Sequence, residues 1–283
     1  MIQVSGLHYR YPGAPVEAVR GLEFQVEPGE IFGLLGPSGA GKSTAQRVLT
    51  GALRDYQGSA RVFGAEVRGA PRSLYNRLGV GFEFPNVYTR MTARENLRFF
   101  AAFYQGPTAS PDALLEQVGL LADADTRVSD YSKGMKMRLG FCRAFLNQPE
   151  LVFLDEPTSG QDPGNARRIR GLIREARDRG VTVFLTTHDM HVAAELCDRV
   201  AFMVDGAIAA IDDPRTLMLQ HGRRRLTVEY READALRSQE FPLEGLADDG
   251  DFLALLRGGI EAMHSQEATL EDVFLDVTGR RLT

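Results

Sequence analysis

The chain has no tryptophan and only two cysteines among its 283 residues. Cys142 and Cys197 lie far apart and fit no metal-ligand or redox spacing, which excludes a disulfide scaffold and a zinc ribbon. Each reads as a small apolar side chain in a helix, in keeping with a reducing compartment. Positive charge is not in surplus either: the formal net charge is −5, against the broad basic surface of a nucleic-acid binder. No apolar run approaches the roughly 20 residues that span a bilayer. The opening "MIQVSGLHYRYPG" has no charged start before an apolar stretch, so no signal peptide is expected. Any membrane connection is expected to come through a partner. Repeats and low-complexity tracts are also missing.

What is present is an ordinary globular balance, 43% hydrophobic and 25% charged, in a chain long enough for one large domain and a smaller one. In "GLEFQVEPGE", Leu22, Phe24 and Val26 alternate onto one face, as in half-exposed antiparallel strands, with turns at Pro12-Gly13 and Pro28-Gly29. Solid apolar runs follow: "IFGLL" at 31–35, "LVFL" at 151–154, "VTVFL" at 181–185 and "VAFMV" at 200–204. Such runs suit strands buried on both faces of a parallel sheet, and helical stretches between them predict an α/β core. Residues 73–147 read as a helical subdomain inserted into that core. After Asp213-Pro214 the pattern restarts, so 1–213 is expected as the main domain and 214–283 as a small α+β extension. That extension carries a strand-like "RLTVEY" and ends in a helix with Leu270, Val273, Phe274 and Val277 on one face. Thr269 and Asp272 resemble a capping box there, and Gly279 a stop. Arg223-Arg224-Arg225 reads as a solvated strand entry rather than a lipid-facing patch.

Chemistry concentrates in a few places. Gly36, Pro37, Ser38, Gly39, Ala40, Gly41, Lys42 and Ser43 fit G-x-x-x-x-G-K-[ST] at every position, between a buried strand and a helix that starts with Thr44 in its first turn. Glycines let backbone N–H groups converge on phosphate, and the helix adds its positive end. Lys42 would reach the β- and γ-phosphates of ATP, and the Ser43 hydroxyl would bind Mg²⁺. Asp155 ends the "LVFL" strand, where a carboxylate can hold Mg²⁺ through water, and Glu156 beside it can polarise the attacking water. His188 ends "VTVFLTTH" and is expected to contact the γ-phosphate rather than serve as a surface residue. A second helix start, "YSKGM", places Ser132, Lys133, Gly134 and Met135 where free N–H groups could take an anion. One nucleotide needs no second cradle, so this one is expected to serve the ATP of another copy in a head-to-tail homodimer.

These spaced motifs resemble the ATP-binding subunits of ABC transporters, over about residues 2–213. "GPSGAGKST" is similar to the family's Walker A, "LVFLDE" to its Walker B, "YSKGM" to its signature, "SGQD" to its D-loop and "TTHD" to its H-loop. The resemblance implies a P-loop ATPase core with an N-terminal antiparallel β subdomain and an inserted helical subdomain, hydrolysing ATP with Mg²⁺. It implies Asp162 as the D-loop acid coupling two sites, and an adenine-stacking aromatic at Tyr11, with Tyr9 as the other candidate. It further implies a separate integral-membrane permease and a peripheral place on the cytoplasmic face of the cell membrane. "YSKGM" and the tail "LEDVFLDVTGRR" are most like ATPases of two-component drug and antibiotic exporters. One position departs: Glu83 in "GVGFEFPNVY" stands where the family has a glutamine that touches Mg²⁺ and water. A glutamate there could ligate the metal or repel the γ-phosphate. Phe84, Tyr88, Phe99, Phe100 and Phe103 follow it, as core or as a groove for the permease. A soluble ABC ATPase acting on nucleic acid or ribosomes is the rival reading. Against it stand the single cassette and the acidic balance. A regulatory module without turnover is opposed by Glu156 and His188.

Overall fold

The structure is a computed structural model that describes residues 1–221, 225–232, 235–266 and 268–279. Arg223 and Arg224 of the basic run lie outside the described residues. The chain divides into two compact units, one covering Met1–Asp212 and a second beginning at Asp213.

In the first unit the elements run β1 (Ile2–Tyr9), β2 (Val19–Val26), β3 (Ile31–Leu35), α1 (Lys42–Leu49), β4 (Gln57–Val62), β5 (Ala65–Glu66) and β6 (Leu78–Gly81). Then come α2 (Ala93–Ala101), α3 (Pro111–Gln117), α4 (Lys133–Phe145), β7 (Leu151–Asp155), α5 (Pro163–Asp178), β8 (Thr182–Thr187), α6 (Met190–Leu196), β9 (Arg199–Val204) and β10 (Ala207–Asp212). An antiparallel sheet of order β2-β1-β4-β5 carries the alternating strands, with Leu22, Phe24 and Val26 turned inward. The core sheet has order β10-β9-β3-β8-β7-β6, parallel except for β10. Strands β3, β7, β8 and β9 are the continuous apolar runs, buried along nearly all their length as both-faced strands must be, whereas the edge strand β10 is only half-buried. The two sheets meet through stacked rings: Phe24 lies 5.4 Å from Phe32 and 6.1 Å from Phe184.

Register positions the chemistry. In the parallel ladders Leu35 pairs with Thr187, and Asp155 pairs with Thr186, so β3, β8 and β7 end at one level. Loops leaving that edge therefore converge, at the carboxyl ends where α/β sheets bind ligands.

Residues 73–147 are not helical throughout. After a short 3₁₀ helix at Arg72–Asn76 comes β6, an edge strand of the core sheet paired with β7, and the α-helices start only at α2. The reason is packing. A Cβ on Gly79 would sit 1.9 Å from the Ala144 carbonyl oxygen and one on Gly81 3.0 Å from Leu154, so α4 lies directly on β6 backbone. Glycines in a strand mark such close approach and hide the apolar alternation.

In the second unit α7 (Pro214–His221) is followed by β11 (Arg225–Glu232), β12 (Ala235–Pro242), α8 (Gly250–Gly258), β13 (Ala262–Gln266) and α9 (Leu270–Thr278). The strands form an antiparallel sheet of order β12-β11-β13, with Val228 and Phe241 packed on Phe252 of α8. The α9 capping box between Thr269 and Asp272 is formed, and Gly279 closes the helix at φ 66°. Leu270, Val273 and Phe274 are buried and Val277 is half-buried. Among the described residues no helix is long and apolar enough to cross a membrane.

Candidate nucleotide site

Between β3 and α1 the glycine loop is wedged against its surroundings. A Cβ on Gly36 would lie 2.1 Å from the Met203 carbonyl oxygen, and one on Gly41 2.2 Å from that of Ala18. Only glycine fits, and Gly41 also takes φ 106°. No side chain caps α1, so its first N–H groups stay open to an anion. Lys42 is 8% exposed, and its Nζ donates to the carbonyls of Gly36 (2.6 Å) and Pro37 (3.0 Å). Burial lowers the ammonium pKa, while the carboxylates of Glu156, Asp155 and Glu83 pull it back up. A cation held out of water beside three carboxylates has its charge ready for phosphate.

Asp155 ends β7 with its Oδ1 accepting from the Ser43 hydroxyl at 3.4 Å and from the Thr186 hydroxyl. This pair of hard oxygen donors, beside a phosphate cradle, suits Mg²⁺, which keeps several waters and few protein ligands. Glu156 follows at φ 49°, in a region non-glycine residues rarely adopt, and its N–H is held by the Thr186 carbonyl at 3.0 Å. Its carboxylate, 9% exposed, accepts from Thr187 Oγ1 (3.0 Å) and from His188 N (3.0 Å). His188 Nδ1 lies 2.7 Å from Glu156 Oε1, where an ionised carboxylate accepts from an Nδ1–H. The remainder of the ring stands open to solvent.

A cleft of about 520 Å³ brings these groups together with Tyr11, Ala18, Glu83 and residues 37–44. Tyr11 has its hydroxyl 3.2 Å from Thr44 Oγ1 and its ring edge-on to Tyr9 at 5.0 Å. Tyr9 is buried in β1 and does not line the cleft. Residues 132–135 and Asp162 do not line it either. Ser132 caps α4, accepting from Met135 N at 3.2 Å, and Lys133 is exposed. Asp162 caps α5, accepting from Asn165 N at 3.0 Å, and these hydrogen bonds hold its carboxyl below the usual range. Sequence reasoning missed Ala18 and the hydroxyls of Thr186 and Thr187. The paired hydroxyls just before His188, at the end of a solidly apolar strand, were the available signal. Ala18 offered none. Cys142 and Cys197 are buried, and burial raises both thiol pKa values.

A glycine loop closed on a buried lysine, level with a carboxylate at the end of a neighbouring parallel strand, is the phosphate cradle of the P-loop nucleoside triphosphatases. Within that class the chain belongs to the ABC transporter family, whose sequence profile matches residues 19–159, as an ATP-binding subunit and an ATPase. A second profile, for the fluoroquinolone efflux ABC transporter C-terminal domain, matches residues 224–267. Along its full length the chain is 56% identical to the fluoroquinolones export ATP-binding protein of Mycobacterium tuberculosis, covering 95% of it. It is 38% identical to the Nod factor export ATP-binding protein I of Burkholderia thailandensis, with 93% of each chain covered. A solved dimeric ATP-binding cassette in a post-hydrolysis state, bound to ADP and Pi, shares the fold. Its TM-score is 0.69 at 23% identity, over 75% of this chain and 98% of that one.

Proposed function

We propose that this subunit closes as a homodimer on two Mg-ATP and thereby drives export of a drug-like small molecule through a separate membrane subunit. The observation that carries the reading is the separation of the chain's own cleft from the start of α4, where the Ser132 side chain satisfies only the Met135 N–H. The cleft gathers the P-loop, Asp155, Glu156 and His188, whereas the capped start of α4 lies outside its lining. A helix start outside the chain's own cleft is explained if it completes a partner's site.

Lys42 and the loop N–H groups would hold the phosphates. Glu156 would take a proton from the attacking water, with His188 fixing its carboxylate by the ring N–H. Ser43 and Asp155 would hold Mg²⁺, which would supply positive charge to the phosphates when bound. Tyr11 would stack on adenine from the rim of the cleft, with Asp162 coupling the paired sites.

Phe82, Phe84, Tyr88 and Phe103 are exposed, and Tyr88, Phe99, Phe100 and Phe103 contact one another just beyond Glu83. An aromatic patch beside the nucleotide cleft suits a helix of the membrane subunit, which would hold the chain at the cytoplasmic face of the cell membrane. The kinship with exporters of fluoroquinolones and Nod factor supports export, and fluoroquinolones are the first cargo to try. A net charge of −5 and a single cassette support a membrane role over a nucleic-acid or ribosome partner. The domain reading, 1–213 as ATPase with helices about 73–147 and 214–283 as extension, is kept with one change: residues 78–81 go to the core sheet.

The test uses mixed dimers. Ser132→Arg blocks the α4 start and Lys42→Ala empties the chain's own cradle, so each alone is inactive. Mixed, they rebuild one intact site of the two. Phosphate release that does not recover on mixing refutes the shared site.

A further inference from the structure

A second cleft, of about 460 Å³, is lined by α3, α4, α5 and the turns before β7 and β8, and it shares no residue with the nucleotide cleft. Phe141 and Phe145, one turn apart on α4, present their rings to it with centroids 4.8 Å apart, and Leu172 of α5 lines it as well. The corner between α4 and β7 is firmly held. Asn147 is buried, and its Nδ2 donates to the carbonyls of Asn76 (3.0 Å) and Leu78 (2.7 Å). Gln148 follows at φ 49°, a strained conformation for a non-glycine residue, which persists only where neighbours hold it. The chain turns there in one fixed way and leaves Phe145 half-buried on the cleft wall. Charge on the rim is unequal. Glu150 is engaged by Arg77, whose Nε and Nη2 donate to its two carboxylate oxygens at 2.6 and 2.8 Å. Among the described residues the only ion pair of Arg179 is a 4.0 Å contact with Glu175. The rim therefore offers a carboxylate already neutralised and a guanidinium with donors to spare.

We propose that this cleft binds a planar aromatic carboxylate. The ring packs against Phe141, Phe145 and Leu172, held by area burial and by contacts between aromatic faces and edges. The carboxylate takes the Arg179 guanidinium at the rim, a charge-assisted pair with matching planar geometry. An apolar floor with a few polar groups at the edge, already formed and of this volume, is the usual make-up of a small-molecule site. A neutral apolar ligand would leave Arg179 unused. A cationic one would meet Arg179 with no free carboxylate to balance it.

The probe is 2-naphthoate, titrated into the full chain by calorimetry, with its neutral amide 2-naphthamide alongside. The acid is expected to saturate a single site per chain, and the amide to bind at least about threefold more weakly, a modest factor because Arg179 is exposed. Arg179→Gln should weaken 2-naphthoate by a similar factor and leave 2-naphthamide unchanged, which an apolar crevice alone would not produce. Leu172→Glu, at a half-buried position on the cleft, sets a carboxylate against the ligand and should abolish binding of the acid. Neither variant touches the nucleotide cleft, so affinity for a fluorescent nucleotide stays at the wild-type value and certifies folding. Saturating 2-naphthoate should leave that affinity unchanged in wild type. No saturable binding of 2-naphthoate overturns the site. Equal weakening of both probes by Arg179→Gln overturns the carboxylate chemistry, and displacement of nucleotide by 2-naphthoate overturns the location.

Discussion

Glu156→Gln separates folding from chemistry because the donors around this carboxylate can accept the change. Oε1 receives the main-chain N–H and ring Nδ1 of His188, and Oε2 receives the Thr187 hydroxyl. A glutamine with its carbonyl at the first place and its amide at the second keeps both His188 contacts. The Thr187 hydroxyl, which already accepts from Asp189 N at 3.0 Å, turns to accept from the new amide as well. The structural cost is therefore below about 1 kcal/mol. Chemistry loses far more: a positioned base contributes about 10²- to 10⁴-fold, or about 3–5 kcal/mol of barrier. Nucleotide binding moves the other way. One of the three carboxylates near Lys42 becomes neutral, so repulsion of the triphosphate falls and ATP binds at least as tightly. The expected protein melts like wild type, binds ATP and remains an ATP-loaded dimer on gel filtration. It releases phosphate at least about a hundredfold more slowly. Turnover within a few-fold of wild type, in a variant that still binds ATP, would remove Glu156 from the role of base.

Other outcomes follow from particular residues. Glu83 faces the same cleft as a formal negative charge, so wild type should depend on Mg²⁺ more steeply than Glu83→Gln, which keeps or gains turnover; superimposable Mg²⁺ titrations would take Glu83 out of the metal site. Gly36→Ala places a methyl 2.1 Å from the Met203 carbonyl oxygen, about an ångström inside normal contact, and the displaced loop should bind ATP at least about tenfold more weakly while far-ultraviolet circular dichroism is unchanged. Wild-type affinity in that variant would mean that the loop is not wedged as described. Deleting everything after Asp212 should leave nucleotide binding intact, because every cleft residue precedes it, and weaken dimerisation or capture by the membrane subunit. A truncated chain that folds but cannot bind ATP would show that the second unit contributes to the site.

Much of the core was legible because its signals are local. The buried strands β3, β7, β8 and β9 lie on the four apolar runs, and the glycine-lysine loop sits between β3 and α1 as its pattern required. What depends on pairing between distant segments was not. Thr186 and Thr187 reach Asp155 and Glu156 only because β7 and β8 run in one register, and nothing in either segment alone states that register. Tyr9 and Tyr11 share parity, so alternation could not separate them; the end of β1 at Tyr9 does, leaving Tyr11 on the rim. Strand β6 was hidden by its own glycines. In the second unit β12, "ALRSQEFP", is exposed along most of its length and has no apolar alternation to reveal it.

The bare backbone of β6 also has a mechanical meaning. Most helices rest on a sheet through interlocking side chains, a layer that can shear and absorb small displacements. Against Gly79 the carbonyl of Ala144 meets main chain directly, so this bearing has almost no compliance. Phe82 and Glu83 follow directly after the end of β6 at Gly81, and Arg143 on the same helix grips the Asn86 carbonyl and covers the Phe100 ring. Helix α4 is thus tied both to β6 and to the loop that follows Glu83, with its Ser132 end away from the cleft rim. Substitutions that add bulk at Gly79 would therefore push α4 off the strand and loosen its tie to the cleft rim.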